Sequence, residues 1–122
     1  MNDQTTTRAY AIAYLREVDL GAEILEYIEK IDATLAPYGG RFLVHGGELT
    51  PAEGTWDGDI VIIEFPSGAD AAAWYESPAY QEILPLRTEH SQSIAAIVAG
   101  VPEGYRAVDK VAAMFPAVGR EA

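Results

Sequence analysis

Arg41 and Glu64 each stand in a short apolar run, RFLVH and DIVIIEF. A guanidinium facing a carboxylate across such runs can close into an ion pair, or the arginine can hold a ligand carboxylate or enolate instead. The ion pair is the plainer reading, because a charge among apolar neighbours normally has a fixed partner. His45 ends the first run and is a candidate general base, since an imidazole exchanges protons near neutrality. A hydrogen-bonded histidine that merely packs is the alternative. Tyr10, Tyr14, Trp74, Tyr75 and Tyr80 could line an aromatic-binding pocket, with Ala9, Ala11 and Ala13 leaving room beneath helices. The same aromatics could instead fill a core. Arg87, near the end of a helical segment, can complement that helix's dipole or reach a ligand anion. For proton transfer the candidates are Tyr14, His45 and Tyr75, with Arg41 or Arg87 steadying developing negative charge.

Other chemistries lack their spacing. His45, Glu64 and His90 contain the residue types of a non-haem iron site but no ligand motif, so no metal is expected. Asp57-Gly58-Asp59 lacks the remaining ligands of a calcium loop and reads as a turn. Gly39-Gly40 and Gly46-Gly47 form neither a GxGxxG nor a P-loop, and no GxSxG elbow is present. No cofactor is implied.

The elements that must position these residues follow from periodicity. Residues 9–15 alternate alanine with Tyr10, Ile12 and Tyr14, the period of a strand. Ile24, Ile28, Ile31 and Leu35 then recur at helical spacing behind Asp19, a potential cap, and Pro37 with Gly39-Gly40 stops that helix. Residues 41–47 and 59–65 read as two strands joined by a long hairpin loop. Ser67 and Asp70 open a helical segment, and Ser77-Pro78 restarts a second one running to about Arg87, which Pro85 is expected to kink or end. Residues 93–100 make a fourth strand.

Strand, helix, strand, strand, helix, strand is the ferredoxin-like order: an α+β domain over residues 9–101 with a four-stranded antiparallel sheet and helices on one face. Residues 1–8 form a polar tail. Residues 102–122 form an extension with a short amphipathic, helical stretch through Val108, Val111, Ala112 and Phe115.

Alternation places Phe42 and Val44 with Val61, Ile63 and Phe65 beneath the helices, and Arg41, Leu43 and His45 with Ile60, Ile62 and Glu64 on the opposite face. A symmetric hairpin sets Arg41 across from Glu64 and His45 across from Ile60. That mixed face is too apolar to be left in water and reads as the side facing a second copy of the chain or as the wall of a cavity.

Composition bounds the rest. The 122 residues suit one domain. A formal charge of -11 repels phosphate backbones and anionic membranes. The absence of cysteine removes disulfides and thiolate chemistry. The polar opening and the lack of a long apolar stretch lead us to expect a cytoplasmic protein.

YGGRFLVHGG at 38–47, Glu53-Gly54 with Trp56, VIIEFPS at 61–67, AAAWYESPAYQEILPLR at 71–87 and Gly100 together resemble the DUF1330 family, small bacterial proteins of unknown function. The resemblance covers about residues 9–101 and implies a dimeric α+β barrel in which two sheets pack face to face. The family commonly carries arginine where this chain has His45. No activity follows from it, and other families of this architecture include cofactor-independent monooxygenases and haem-degrading enzymes. Three functions therefore stand: a homodimer binding a small aromatic or anionic metabolite, a cofactor-independent oxygenase, isomerase or cyclase, and an assembly module with no ligand.

Overall fold

A computed structural model describes residues 7–115; most of the polar tail and the end of the C-terminal extension lie outside the described residues. Four strands, β1 (Ala9–Arg16), β2 (Arg41–His45), β3 (Asp59–Phe65) and β4 (Gln92–Ala99), form one antiparallel sheet in the order β2-β3-β1-β4. Helices α1 (Ala22–Leu35), α2 (Gly68–Glu76) and α3 (Pro78–Thr88) cover one face. The βαββαβ order and the antiparallel sheet are those the periodicity implies.

Local chemistry explains most boundaries. Ser67 caps α2 by accepting from the Asp70 amide, and Ser77 caps α3 by accepting from the Tyr80 amide, with Pro78 supplying the helical φ of the first turn. Gly39 ends the turn after α1 at φ 71°, where a side chain would also strike Pro66. Asp19 does not cap α1. The cap position is Gly21, with no side-chain cap, and Asp19 is held in the turn before it, its amide donating to the His90 carbonyl and its carbonyl accepting from the Gly21 amide. Pro85 lies inside α3 instead of ending it, and the helix runs on to Thr88.

The register gives each face its residues. Ala9, Ala11 and Ala13 of β1 lie opposite Phe65, Ile63 and Val61 of β3 and turn towards the helices, whereas Tyr10, Ile12 and Tyr14 lie opposite Glu64, Ile62 and Ile60 and turn away. On the helix side, Phe65, Ile63, Leu35, Trp74, Tyr80 and Ile83 make the core.

Strand β2 departs from simple alternation. Arg41 faces Glu64 and Phe42 faces Ile63, but Val44 then pairs with Ile62, and His45 with Val61. The irregularity at Leu43 is a bulge, one extra residue that flips the face of everything after it. Val44 therefore joins the outer face. His45 moves to the helix face, one position from the partner that plain alternation assigns.

After β4 the chain makes a 3₁₀ turn at Ala107–Lys110 and one turn of helix, α4 (Val111–Met114). Val108, Met114 and Phe115 are exposed.

Candidate functional site

Helix α2 lies directly on β1, β3 and β4, whereas α1 packs chiefly against α3 and stands off the sheet. The floor beneath α1 is paved with Ala11, Ala13 and Ala95, whose methyl groups are too short to fill the gap. A cleft of about 870 Å³ results. Its roof is the apolar stripe Ile24, Tyr27, Ile28 and Ile31 of α1, and Trp74, Tyr75 and Tyr80 wall its inner end. Ile28 and Ile97, both exposed, owe that exposure in part to facing this space.

The mouth lies where β1, β2 and the hairpin loop end. His45 stacks on Phe42 with ring centroids 4.5 Å apart and planes within 13°, so the bulge in β2 delivers an imidazole to the opening. Glu17, Asp57, Gly58 and Asp59 border it. Gly58 is required there, since a Cβ would collide with the Leu15 carbonyl oxygen.

The deep end is polar. The Tyr27 and Tyr80 hydroxyls lie 2.7 Å apart, and Arg87, only 6% exposed, donates to Ser93 Oγ at 2.7 Å and reaches Tyr80 Oη at 3.5 Å while its guanidinium sits 5.9 Å from the Tyr27 ring centre. Burial, reinforced by Tyr80, pushes the Tyr27 pKa far above that of an ordinary tyrosine. Trp74 is anchored by its indole N–H to Thr34 Oγ1 at 2.9 Å and lies tilted against Tyr80, with ring centroids 4.1 Å apart.

Of the residues singled out from sequence, the cleft thus gathers His45, Trp74, Tyr75, Tyr80 and Arg87. Tyr10 and Tyr14 are not beneath the helices, because even positions of β1 point to the opposite face. Tyr10 donates to Glu64 Oε2 at 3.4 Å, and Tyr14 donates to Asp57 Oδ1 at 2.7 Å and packs edge-on to Trp56. The Tyr14 hydrogen bond holds the Asp57 carboxyl below its usual pKa. Arg41 and Glu64 meet on that outer face as expected, Nε to Oε1 at 2.9 Å, with Arg8 3.9 Å from the same oxygen. The hydrogen bond from Arg41, aided by both positive charges, lowers the Glu64 pKa.

His90 is remote from His45 and Glu64: its Nδ1 lies 3.0 Å from the Leu86 carbonyl and its Nε2 3.8 Å from Glu23. Among the described residues no three His, Asp or Glu side chains cluster as metal ligands would. The reading from sequence passed over Tyr27 and Ser93. Tyr27 was detectable as the one residue with a polar tip inside the Ile24, Ile28, Ile31 stripe; Ser93, across the sheet, carried no such signal.

The sequence pattern of the domain of unknown function DUF1330 matches residues 8–101. The chain belongs to the DUF1330 family. Among solved structures, this DUF1330 protein is similar to a protein of unknown function from Rhodopseudomonas palustris, at 17% identity over 79% of this chain and 84% of that one, with a TM-score of 0.55. It is similar also to a dimeric ferredoxin-like protein of unknown function from Thermobifida fusca, at 18% identity over 78% and 92%, TM-score 0.54. A third is SnoaB, a cofactor-independent oxygenase from Streptomyces nogalater, at 12% identity over 83% and 99%, TM-score 0.52. At such identities the likeness shows the ferredoxin-like fold alone. No curated protein matches the sequence.

Proposed function

We propose that this DUF1330 protein is a homodimer that holds a small molecule with an apolar, aromatic-sized body in the cleft between α1 and the sheet. The observation that carries this is the cleft itself: about 870 Å³ of space in a 122-residue chain, floored by alanines and walled by aromatic rings. Protein interiors are close-packed, and a void of that size falls in the range of ligand pockets. The dimer reading rests on the opposite face, where Ile12, Ile60, Ile62, Ile94 and Val98 stand together with Ile94 73% exposed. An apolar sheet face of this kind needs cover, and the Thermobifida fusca protein of the same fold is described as dimeric.

The test is titration with the neutral fluorophore N-phenyl-1-naphthylamine. Saturable binding near one site per chain is expected, abolished by Ala13→Phe, which fills the floor. Equal binding by wild type and Ala13→Phe would show that the probe sits elsewhere.

A second reading, a cofactor-independent enzyme working in the same cleft, is favoured by the position of His45. Its ring lines the opening on the helix face, where it could take a proton from a bound carbon or oxygen acid, with Tyr75 beside the aromatic end wall. SnoaB shows that the fold accommodates such chemistry.

A further inference from the structure

We propose that the ligand carries an anionic oxygen, a carboxylate or an enolate, that enters first and is received at the deep end of the cleft by Arg87 and the Tyr27–Tyr80 hydroxyl pair. This deepens the small-molecule reading above and rests on it.

The inference starts from Arg87. Its side chain is more than nine-tenths buried, yet no Asp or Glu among the described residues lies within ion-pairing distance of it. Its side-chain partners are neutral hydroxyls, Ser93 Oγ and the more distant Tyr80 Oη. A guanidinium has five N–H donors and cannot discard its charge, so leaving it buried without an anion is costly. The chain is rich in carboxylates, yet none among the described residues pairs with this cation. Glu64, by contrast, has Arg41 and Arg8 on one carboxylate.

The tyrosines add donors. Two hydroxyls 2.7 Å apart share one proton along their hydrogen bond, and the second proton has no protein acceptor among the described residues. Burial, with Tyr80 next to it, keeps the Tyr27 hydroxyl protonated, so it stays a donor. A buried cluster with donors in excess, lining an aromatic-walled cleft, is complementary to an oxyanion on an apolar body.

The experiment compares 2-naphthoate with its neutral isostere 2-naphthamide by calorimetry, alongside N-phenyl-1-naphthylamine. Wild type should bind naphthoate at least about tenfold more tightly than naphthamide. Arg87→Met should erase that preference by weakening naphthoate far more than naphthamide. Arg87→Lys, which keeps the charge but loses the fork, should retain part of it. Equal affinities in wild type overturn the anion proposal, and that comparison needs no variant to fold. Binding of N-phenyl-1-naphthylamine without any preference for naphthoate overturns the proposal but leaves the cleft reading standing. Failure of all three compounds to bind overturns both.

Discussion

The two faces of the sheet are built the wrong way round for a simple monomer. In β1 the residues turned towards the helices are Ala9, Ala11 and Ala13, and those turned away are Tyr10, Ile12 and Tyr14. A two-layer domain with nothing to hold would put bulk inside and small or polar residues outside. Here the small residues under α1 leave a cleft, and the bulk outside leaves an apolar surface. Strand β3 shows that inward bulk is available where the core needs it: Ile63 and Phe65 are fully packed beneath α2. The inversion thus singles out the two places to which the proposed occupants are assigned, a ligand on one side and a second copy on the other.

The largest effect expected from breaking this arrangement is on the outer face. Ile12 and Ile62 sit opposite one another on the two central strands. Ile12→Asp would bring an unpaired carboxylate into the middle of a sheet-on-sheet contact and weaken the dimer by more than about hundredfold. Sedimentation should show the variant as a monomer at concentrations where wild type is a dimer. If both sediment alike as monomers, the outer face has no partner and the comparison loses one half.

Next in size is the floor of the cleft. Ala13→Phe should abolish binding of the aromatic probe yet leave the thermal midpoint unchanged or raised, because the new ring enters empty space and buries apolar area. Were the space under α1 packed solid, the same substitution would cost about 1–3 kcal/mol through overpacking. The sign of the midpoint shift separates the two.

Much of this architecture was legible in the sequence because each element carries its own period and punctuation. The alanine alternation of residues 9–15, the α1 stripe and the caps at Ser67 and Ser77 are local signals, and the family pattern over residues 8–101 agrees with them. The Arg41 to Glu64 register was also reached, from the assumption of a symmetric hairpin, although the pairs nearest the loop, Val44 with Ile62 and His45 with Val61, run one residue out of it. His45 was not. Its face is decided by the bulge at Leu43, and nothing in RFLVH marks one residue as extra, so plain alternation misplaces it by a whole face. The polar cluster at the deep end was only half visible for a related reason. Tyr80 and Arg87 stood out by type and Tyr27 was detectable within the α1 stripe, but Ser93 joins them through tertiary packing of β4, which no spacing encodes.

The smallest effect expected lies in the Arg41–Glu64 pair, and it reports on the outer face from a different direction. Glu64 is 9% exposed at its side chain while Arg41 is 70% exposed, so within a single chain solvent screens the pair from one side. Arg41's hydrogen bond, helped by its charge and that of Arg8, lowers the folded-state pKa of Glu64 below its ordinary value near 4.3. A depressed pKa means the ionised form is favoured by folding. The stabilisation is therefore full above the ordinary glutamate pKa and is lost as pH falls through the lower folded value. The gap in thermal midpoint between wild type and Glu64→Gln should hold steady from neutrality to about pH 5 and close on further acidification. If a second copy covers this face, the pair is desolvated on both sides and the gap should be wider in the dimer than in the Ile12→Asp background. Equal gaps in the two backgrounds would mean that the outer face stays wet around Glu64, and would confine any dimer contact to the β1–β4 half of the sheet.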